Sequence, residues 1–348
     1  MILASQPSAP ETRASDYHRL IRPVDGLLKQ LRRFLVAQLD DFEPEARELA
    51  AYCLRHEGKR LRPLLVFFCR CQEKVSPTLA GDLVRAAAVV ELVHQATLVH
   101  DDILDDAEMR HSSQTPWARW GRSAAVLIGD ALFAQALHLA SQFDTGEVCR
   151  EVAAATRQVC SGEIAQTFRR GQPSQDLEHY LRVIDLKTAE LFRVSGYLGA
   201  RLTGADVTLA NQTAQACRHL GIAYQMFDDL ADYAADEQRA GKTLGTDMAS
   251  GKMTLPILYL QDALGPEVAR DWRQEWLDGR VDSEQLQQQL RDTGALERSF
   301  ARCRSEVEAA EAAIQAASNV QPTLVRLRDL SAYVGTQINR LQPSAQVA

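Results

Sequence analysis

Apolar residues recur three and four positions apart through most of the chain, the spacing that gathers them on one face of an α-helix. Two stretches go further. VRAAAVVELVHQATLVHDD, Val84 to Asp102, and AAVLIGDALFAQALHLASQF, Ala124 to Phe143, are apolar nearly all round, as the central helices of a bundle are. The alternation of apolar and polar residues that marks a half-buried strand is scarce. No proline interrupts the chain between Pro116 and Pro173 or between Pro173 and Pro256, and both intervals are rich in good helix formers. The fold class predicted is all-α. Loops are expected at Val75–Asp82, His111–Pro116, Gly171–Gln175, Ala234–Gly251 and Gly265. The charged, Gln-rich stretch Ser283–Ala317 reads as an outer helical layer. None of the loops is long enough to link separate units, so a single domain over 16–341 is expected, between a disordered leader at 1–15 and a tail at 342–348.

The chain has 348 residues, 46% apolar and 24% charged, the balance of a globular protein with a sizeable core. A net charge of −7 argues against a non-specific nucleic-acid binder, and no nucleic-acid partner is expected. The longest unbroken apolar runs, such as Leu64–Cys69 and Ala86–Val90, are too short to span a bilayer, so no transmembrane segment is expected. The N-terminal residues lack the basic start and apolar core of a signal peptide, which makes the expected location cytoplasmic. Seven cysteines (Cys53, Cys69, Cys71, Cys149, Cys160, Cys217 and Cys303) form no CxxC pair of zinc-like spacing and read as free thiols.

Candidate chemistry begins with LVHDDILDDAEMRH, where Asp101, Asp102, Asp105 and Asp106 stand directly behind an apolar run. On a helix, residues four apart share a face, which pairs Asp101 with Asp105 and Asp102 with Asp106. Each like-charge pair costs a few tenths of a kcal/mol, and each Asp up to ~0.7 kcal/mol of helix propensity. A solvated helix end could absorb that once. QMFDDLADY repeats the pattern with Asp228, Asp229 and Asp232, a second DDxxD entered from an apolar helix. Carboxylates alone on facing helices suit hard cations, and Mg2+ takes one or two of them plus phosphate oxygens and waters. A phosphate-bearing substrate is therefore implied. Cations to meet it recur: Lys59 and Arg62 in HEGKRLRP, on one helical face if that turn is helical; Arg110; Lys187 in KTAELF; and Lys242 and Lys252 in GKTLGTDMASGKMTLP.

These residues fall in seven ordered motifs: GKRLRP, ELVHQATLVHDDILDD, AAVLIGD, SGEIAQ, KTAELF, QMFDDLAD and GKTLGTDMASGKMTLP. In that order they resemble the trans-type polyprenyl diphosphate synthases of the isoprenoid synthase fold, over roughly Leu27 to Leu341. HQATLVHDD looks most like the long-chain, octaprenyl-type members. The resemblance implies a single-domain helical bundle around a central apolar cavity, working as a homodimer. It implies Mg2+, three ions bridged by the substrate diphosphate, held by Asp101, Asp102, Asp105, Asp228, Asp229 and Asp232. Arg110, Lys187 and Lys242, with Lys252 nearby, would add charge to the allylic diphosphate, while Lys59, Arg62 and His94 would hold isopentenyl diphosphate. Thr188 and Gln225 match positions that present oxygen dipoles to the allylic cation. Proton removal is assigned by resemblance to the departing diphosphate.

Product length in such proteins follows the depth of the cavity beside the first acidic helix. The fourth, fifth and eighth residues before Asp101 are Thr97, Ala96 and Val93, with no aromatic floor, and the twelve positions back to Val89 span ~18 Å. Phe133, Leu137 and Phe143 could supply a floor from the neighbouring helix. A product of six or more isoprene units is expected, the alternative being geranylgeranyl or farnesyl diphosphate. One motif departs from the family pattern. RHSSQT, Arg110 to Thr115, stands where the family usually reads RRGxPT, so His111 replaces an arginine that contacts isopentenyl diphosphate, with one donor in place of a fixed fork. Glu57 likewise stands where glycine is common. A class I terpene cyclase would share the first acidic cluster, but normally carries an Asn-Ser-Glu type second motif and lacks the isopentenyl site. A di-iron bundle could use the ExxH pairs Glu91–His94 and Glu108–His111, but leaves the second DDxxD and the lysines unexplained. A regulatory subunit would typically have lost one acidic cluster or both.

Overall fold

A computed structural model describes residues 16–55, 58–69, 76–110, 113–169, 176–234 and 252–342. The leader at 1–15, Glu57, Cys71, His111, Lys242 and the 171–175 loop lie outside the described residues, as does nearly all of the 234–251 loop. The helices are α1 (Asp25–Ala37), α2 (Pro44–Arg55), α3 (Leu61–Phe68), α4 (Pro77–Leu104), α5 (Pro116–Trp120), α6 (Arg122–Ser141), α7 (Glu147–Arg169) and α8 (Leu177–Ile184). They continue with α9 (Glu190–Leu202), α10 (Val207–Ala234), α11 (Leu255–Leu264), α12 (Pro266–Leu277), α13 (Ser283–Asp292), α14 (Ala295–Val320) and α15 (Leu327–Leu341). Strands among the described residues are confined to a two-residue antiparallel pair, β1 (Met109–Arg110) and β2 (Ser113–Gln114), with Met109 opposite Gln114.

The core is built on α4 and α10, each 28 residues or ~42 Å long. Helix α4 begins earlier than the loop expected at Val75–Asp82 allows. Ser76 caps it by accepting from the Leu79 N–H at 3.2 Å, and Pro77 fills the first helical position, where a missing N–H costs nothing. Its residues from Leu83 to Val93, apart from half-buried Arg85, are all buried, so α4 packs on several sides at once, against α6, α3, α9 and α1.

Helix α10 lies between α9 and α14. The stretch expected as an outer layer is therefore only half outer. Leu296, Phe300, Cys303, Val307, Ala310, Ile314 and Ala317 of α14 form a buried stripe along α10. The abundant charges of that segment hid a three-and-four apolar spacing.

Helices α8 and α9 are one continuous rod interrupted by a π-helical segment, Asp185–Ala189. Two glycines make room for it. A Cβ at Gly162 of α7 would lie 2.7 Å from the Lys187 N, and one at Gly221 of α10 would lie 2.7 Å from the Ala189 Cα. Arg218 on α10 ties the segment's first residue down, its Nη2 donating to Asp185 Oδ2 at 2.7 Å.

Cys53, Cys69, Cys217 and Cys303 are buried free thiols and Cys160 is an exposed one. Among the described residues one helix, α6, is long and apolar enough to cross a bilayer by length and composition, although no long unbroken apolar run marks it. It packs against α4, α5 and α7 within the bundle. Its outer face exposes Val126, Leu127 and Leu137.

Candidate active site

The first acidic cluster sits where α4 ends. The helix stops at Leu104; Asp105 is its C-cap, and Asp106 turns into the left-handed region with φ of 52°. The expected side-by-side pairing of Asp102 with Asp106 is therefore lost, and Asp106 pairs instead with Arg122. Asp102, only 3% exposed, takes both the Nε and the Nη2 of Arg110 at 2.8 Å on its Oδ1. Asp105 lies 3.3 Å from Lys252 Nζ, and Asp101 lies 3.4 Å from Lys187 Nζ.

Lys187 projects from the π segment into a cradle of three acceptors. It contacts Glu163, donates to Gln166 Oε1 at 2.9 Å and faces Asp101. Burial works against its charge, but Asp101 and Glu163 outweigh it and hold the ammonium's pKa above its ordinary value. Burial raises the Asp101 carboxyl to about 6; Lys187 opposes the rise, and Glu163 and Asp105 add to it. The SGEIAQ motif places Glu163 and Gln166 three apart on α7, one helical face, and that spacing could have singled them out.

The second cluster closes α10. Asp229 accepts from Tyr180 OH at 2.6 Å and from Gln225 Nε2 at 2.8 Å, and Gln225 Oε1 accepts from Thr188 Oγ1 at 2.8 Å. Asp232 is buried and Asp228 exposed. Tyr180, on α8, gave no sequence signal; only the packing of the π segment that continues α8 against α10 brings it here.

A cavity of about 380 Å³ connects the two clusters. Lys59, Arg60, Arg62, His94, Asp102, Arg110 and Asp228 all line it. Lys59 and Arg62 do not share a helical face as expected, because Lys59 lies in a turn and α3 starts only at Leu61, after Arg60 in the left-handed conformation with φ of 46°. Arg60 itself was overlooked. Its guanidinium lies 2.7 Å from Glu91, both groups at least nine-tenths buried, and this pair pins the turn. Arg62 stacks 5.1 Å above the Phe192 ring, and its buried Nε finds no acceptor among the described residues. Burial lowers its pKa, with Glu91 and Tyr224 pulling the other way. His94 is held neutral: burial first, then the fields of Arg62, Arg110 and Arg60, push its pKa well below the ordinary value. An unanswered buried N–H in a ring of guanidinium groups is a site for an anion.

Of the chain-length candidates, Val93 and Ala96 are buried, and Thr97 spends its hydroxyl on the His94 carbonyl at 2.7 Å. Phe133 is partly buried, its ring centroid 5.8 Å from that of His100, whereas Leu137 is 41% exposed.

Among the described residues no three His, Cys, Asp or Glu side chains converge as a cage for a metal ion. The donor set fits Mg2+ nonetheless, since that ion needs only one or two carboxylates when phosphate oxygens and water complete its octahedron.

A helical bundle whose two longest helices end in facing carboxylates above an apolar interior defines an isoprenoid synthase-type fold. The sequence matches the polyprenyl synthetase family over residues 43–291. The chain belongs to that family, whose members are generally Mg-dependent. It is 31% identical to the octaprenyl diphosphate synthase of Escherichia coli over 81% of this chain and 87% of that one. It is 34% identical to the nonaprenyl diphosphate synthase of Mycobacterium tuberculosis over 72% of this chain and 74% of that one. Among solved structures, a decaprenyl diphosphate synthase from Rhodobacter capsulatus superposes with a TM-score of 0.82 at 27% identity, covering 94% of this chain and all of the other.

Proposed function

We propose that this chain is a trans-prenyltransferase that condenses isopentenyl diphosphate with an allylic diphosphate to give an all-trans polyprenyl diphosphate of six or more isoprene units. The observation that carries this reading is the cavity shared by Lys59, Arg62, His94 and Arg110, with one carboxylate of each acidic cluster in its wall. Lys59, Arg62 and His94 hold isopentenyl diphosphate, and the unanswered Nε of Arg62 takes one of its oxygens. Arg110, Lys187 and Lys252, with Lys242 from outside the described residues, hold the allylic diphosphate at the carboxylate end, and His111, also outside them, stands at a position that contacts isopentenyl diphosphate. Asp101, Asp102, Asp105, Asp228, Asp229 and Asp232 would hold Mg2+, three ions in all, which would supply Lewis-acid stabilisation of the departing diphosphate. Thr188 and Gln225, locked together by their hydrogen bond, aim oxygen dipoles at the allylic carbon as its bond to oxygen breaks. The double bond of isopentenyl diphosphate makes the new carbon–carbon bond, and the proton released leaves with the diphosphate. Buried Val93 and Ala96 of α4, behind the first cluster, supply the apolar surface that keeps water from the cation.

The long product is supported by the small or aliphatic side chains of Val93, Ala96 and Thr97 and by the names of the relatives, with Phe133 left as the aromatic candidate for a floor. A homodimer formed through the exposed apolar face of α6 belongs to the same reading, as does a cytoplasmic location. Incubation with Mg2+, isopentenyl diphosphate and farnesyl or geranylgeranyl diphosphate, followed by chromatography, tests it. Products of C30 or longer are expected. No elongated diphosphate from either primer would refute the activity; a product ending at C15 or C20 would refute the length alone.

A further inference from the structure

Arg110 is carried by a hairpin too short to fix its own position. Strands β1 and β2 are two residues each, joined by the pairs Met109 with Gln114 and Arg110 with Ser113. An isolated hairpin of that size is unstable in water. Something outside must hold it, and Tyr52 of α2 does so. Its hydroxyl donates to the Gln114 carbonyl at 2.6 Å, from 62 residues away in sequence.

The Tyr52 ring is itself fixed. Trp120 meets it edge-on at 4.9 Å and 83°, and the guanidinium carbons of Arg55 and Arg119 lie 4.7 and 4.9 Å from its centroid. Arg119 also stacks 4.4 Å from the Trp120 ring. Tyr52, Gln114 and Arg110 all line the 380 Å³ cavity. A fixed Gln114 fixes its partner Met109, and with it the backbone from which Arg110 reaches Asp102.

We propose that Tyr52 is a positioning residue for the allylic diphosphate: its hydroxyl latches the β1–β2 hairpin to α2 and so sets where Arg110 stands between Asp102 and that anion. The inference rests on the function proposed above. It does not require Tyr52 to touch the substrate.

Tyr52→Phe removes one oxygen and keeps the stacked ring, so the arginine and tryptophan contacts remain. Losing a hydrogen bond of this kind shifts binding ~3- to 10-fold. Isothermal titration of the full chain with farnesyl diphosphate and Mg2+ should show that loss. In steady-state assays the KM for the allylic primer should rise by the same factor, with the KM for isopentenyl diphosphate within twofold. Amide exchange at 109, 110, 113 and 114 should quicken in the variant while α4 and α10 keep their protection. Wild-type protein that binds no farnesyl diphosphate overturns both the function and the latch. Binding by the wild type that Tyr52→Phe leaves within twofold overturns the latch alone. Equal rises in both KM values, or faster exchange throughout the bundle, would reduce Tyr52 to a structural role and also overturn it.

Discussion

Asp101 carries a titration close to working pH. Its carboxyl is raised to about 6, chiefly by burial and further by Glu163 and Asp105, and opposed by Lys187. If Asp101 holds Mg2+ as proposed, proton and metal compete for the same oxygens, and the proton wins as pH falls through that value. The Mg2+ concentration for half-maximal activity should therefore climb below pH 6, by up to ~10-fold per unit, and level off above pH 7. Mg2+ titrations at pH 5, 6 and 7 with saturating substrates measure this; a flat series would detach Asp101 from the metal. Residues of this sort were legible in sequence because charge in an apolar helix is conspicuous, and the DDxxD clusters and Lys187 stood out on that ground. Tyr180, Tyr52 and Arg60 did not. A tyrosine or an arginine at those positions looks like any half-buried or surface residue until the fold supplies Asp229, the Gln114 carbonyl or Glu91 as its partner.

At the scale of the element, the site depends on how closely α7 approaches the π segment. Gly162→Ala would put a methyl 2.7 Å from the Lys187 N and 2.9 Å from the Leu186 Cβ. Backbone cannot yield as a flexible side chain does, so a loss of ~1–3 kcal/mol in unfolding free energy is expected. Denaturant melts measure that loss. Because the displaced atom belongs to Lys187, kcat should fall as well, at temperatures where the variant is fully folded. Unaltered stability would show that α7 and the segment can part without cost. The helical periods of α4, α6 and α10 announced these elements in advance, whereas the π segment was invisible. It shares its composition with ordinary helix and differs only in which carbonyl each N–H reaches. The buried stripe of α14 was readable but was masked by the charges of its other face.

At the scale of the whole molecule, α6 presents an apolar face that no described residue covers. Leu127 is 68% exposed on α6, beside Val126 and Leu137, each about two-fifths exposed. If a second copy covers this face, Leu127→Glu should lower the sedimentation mass from about 77 kDa, twice the 38.6 kDa chain, toward that of one chain. A wild-type chain sedimenting at 38.6 kDa would discard the dimer. The all-α class was readable from periodicity alone. The assembly of the site was not, because it draws on α3, α4, α7, α10, the π segment and the hairpin, and no local pattern states which helix ends face each other.

The rod from Leu177 to Leu202 gains its bulge from one surplus residue in the turn at Asp185–Ala189. Deleting Leu186 from that turn would let ordinary helical bonding run through without a break. The segment beyond would then turn by ~100° and retreat by ~1.5 Å relative to α8. Lys187 and Thr188 would no longer face Asp101 and Gln225 together, although every side chain that defines the site would still be encoded. The chemistry here is set by a count of residues as much as by their kinds, so an insertion or deletion in this turn would be a sharper lesion than most substitutions.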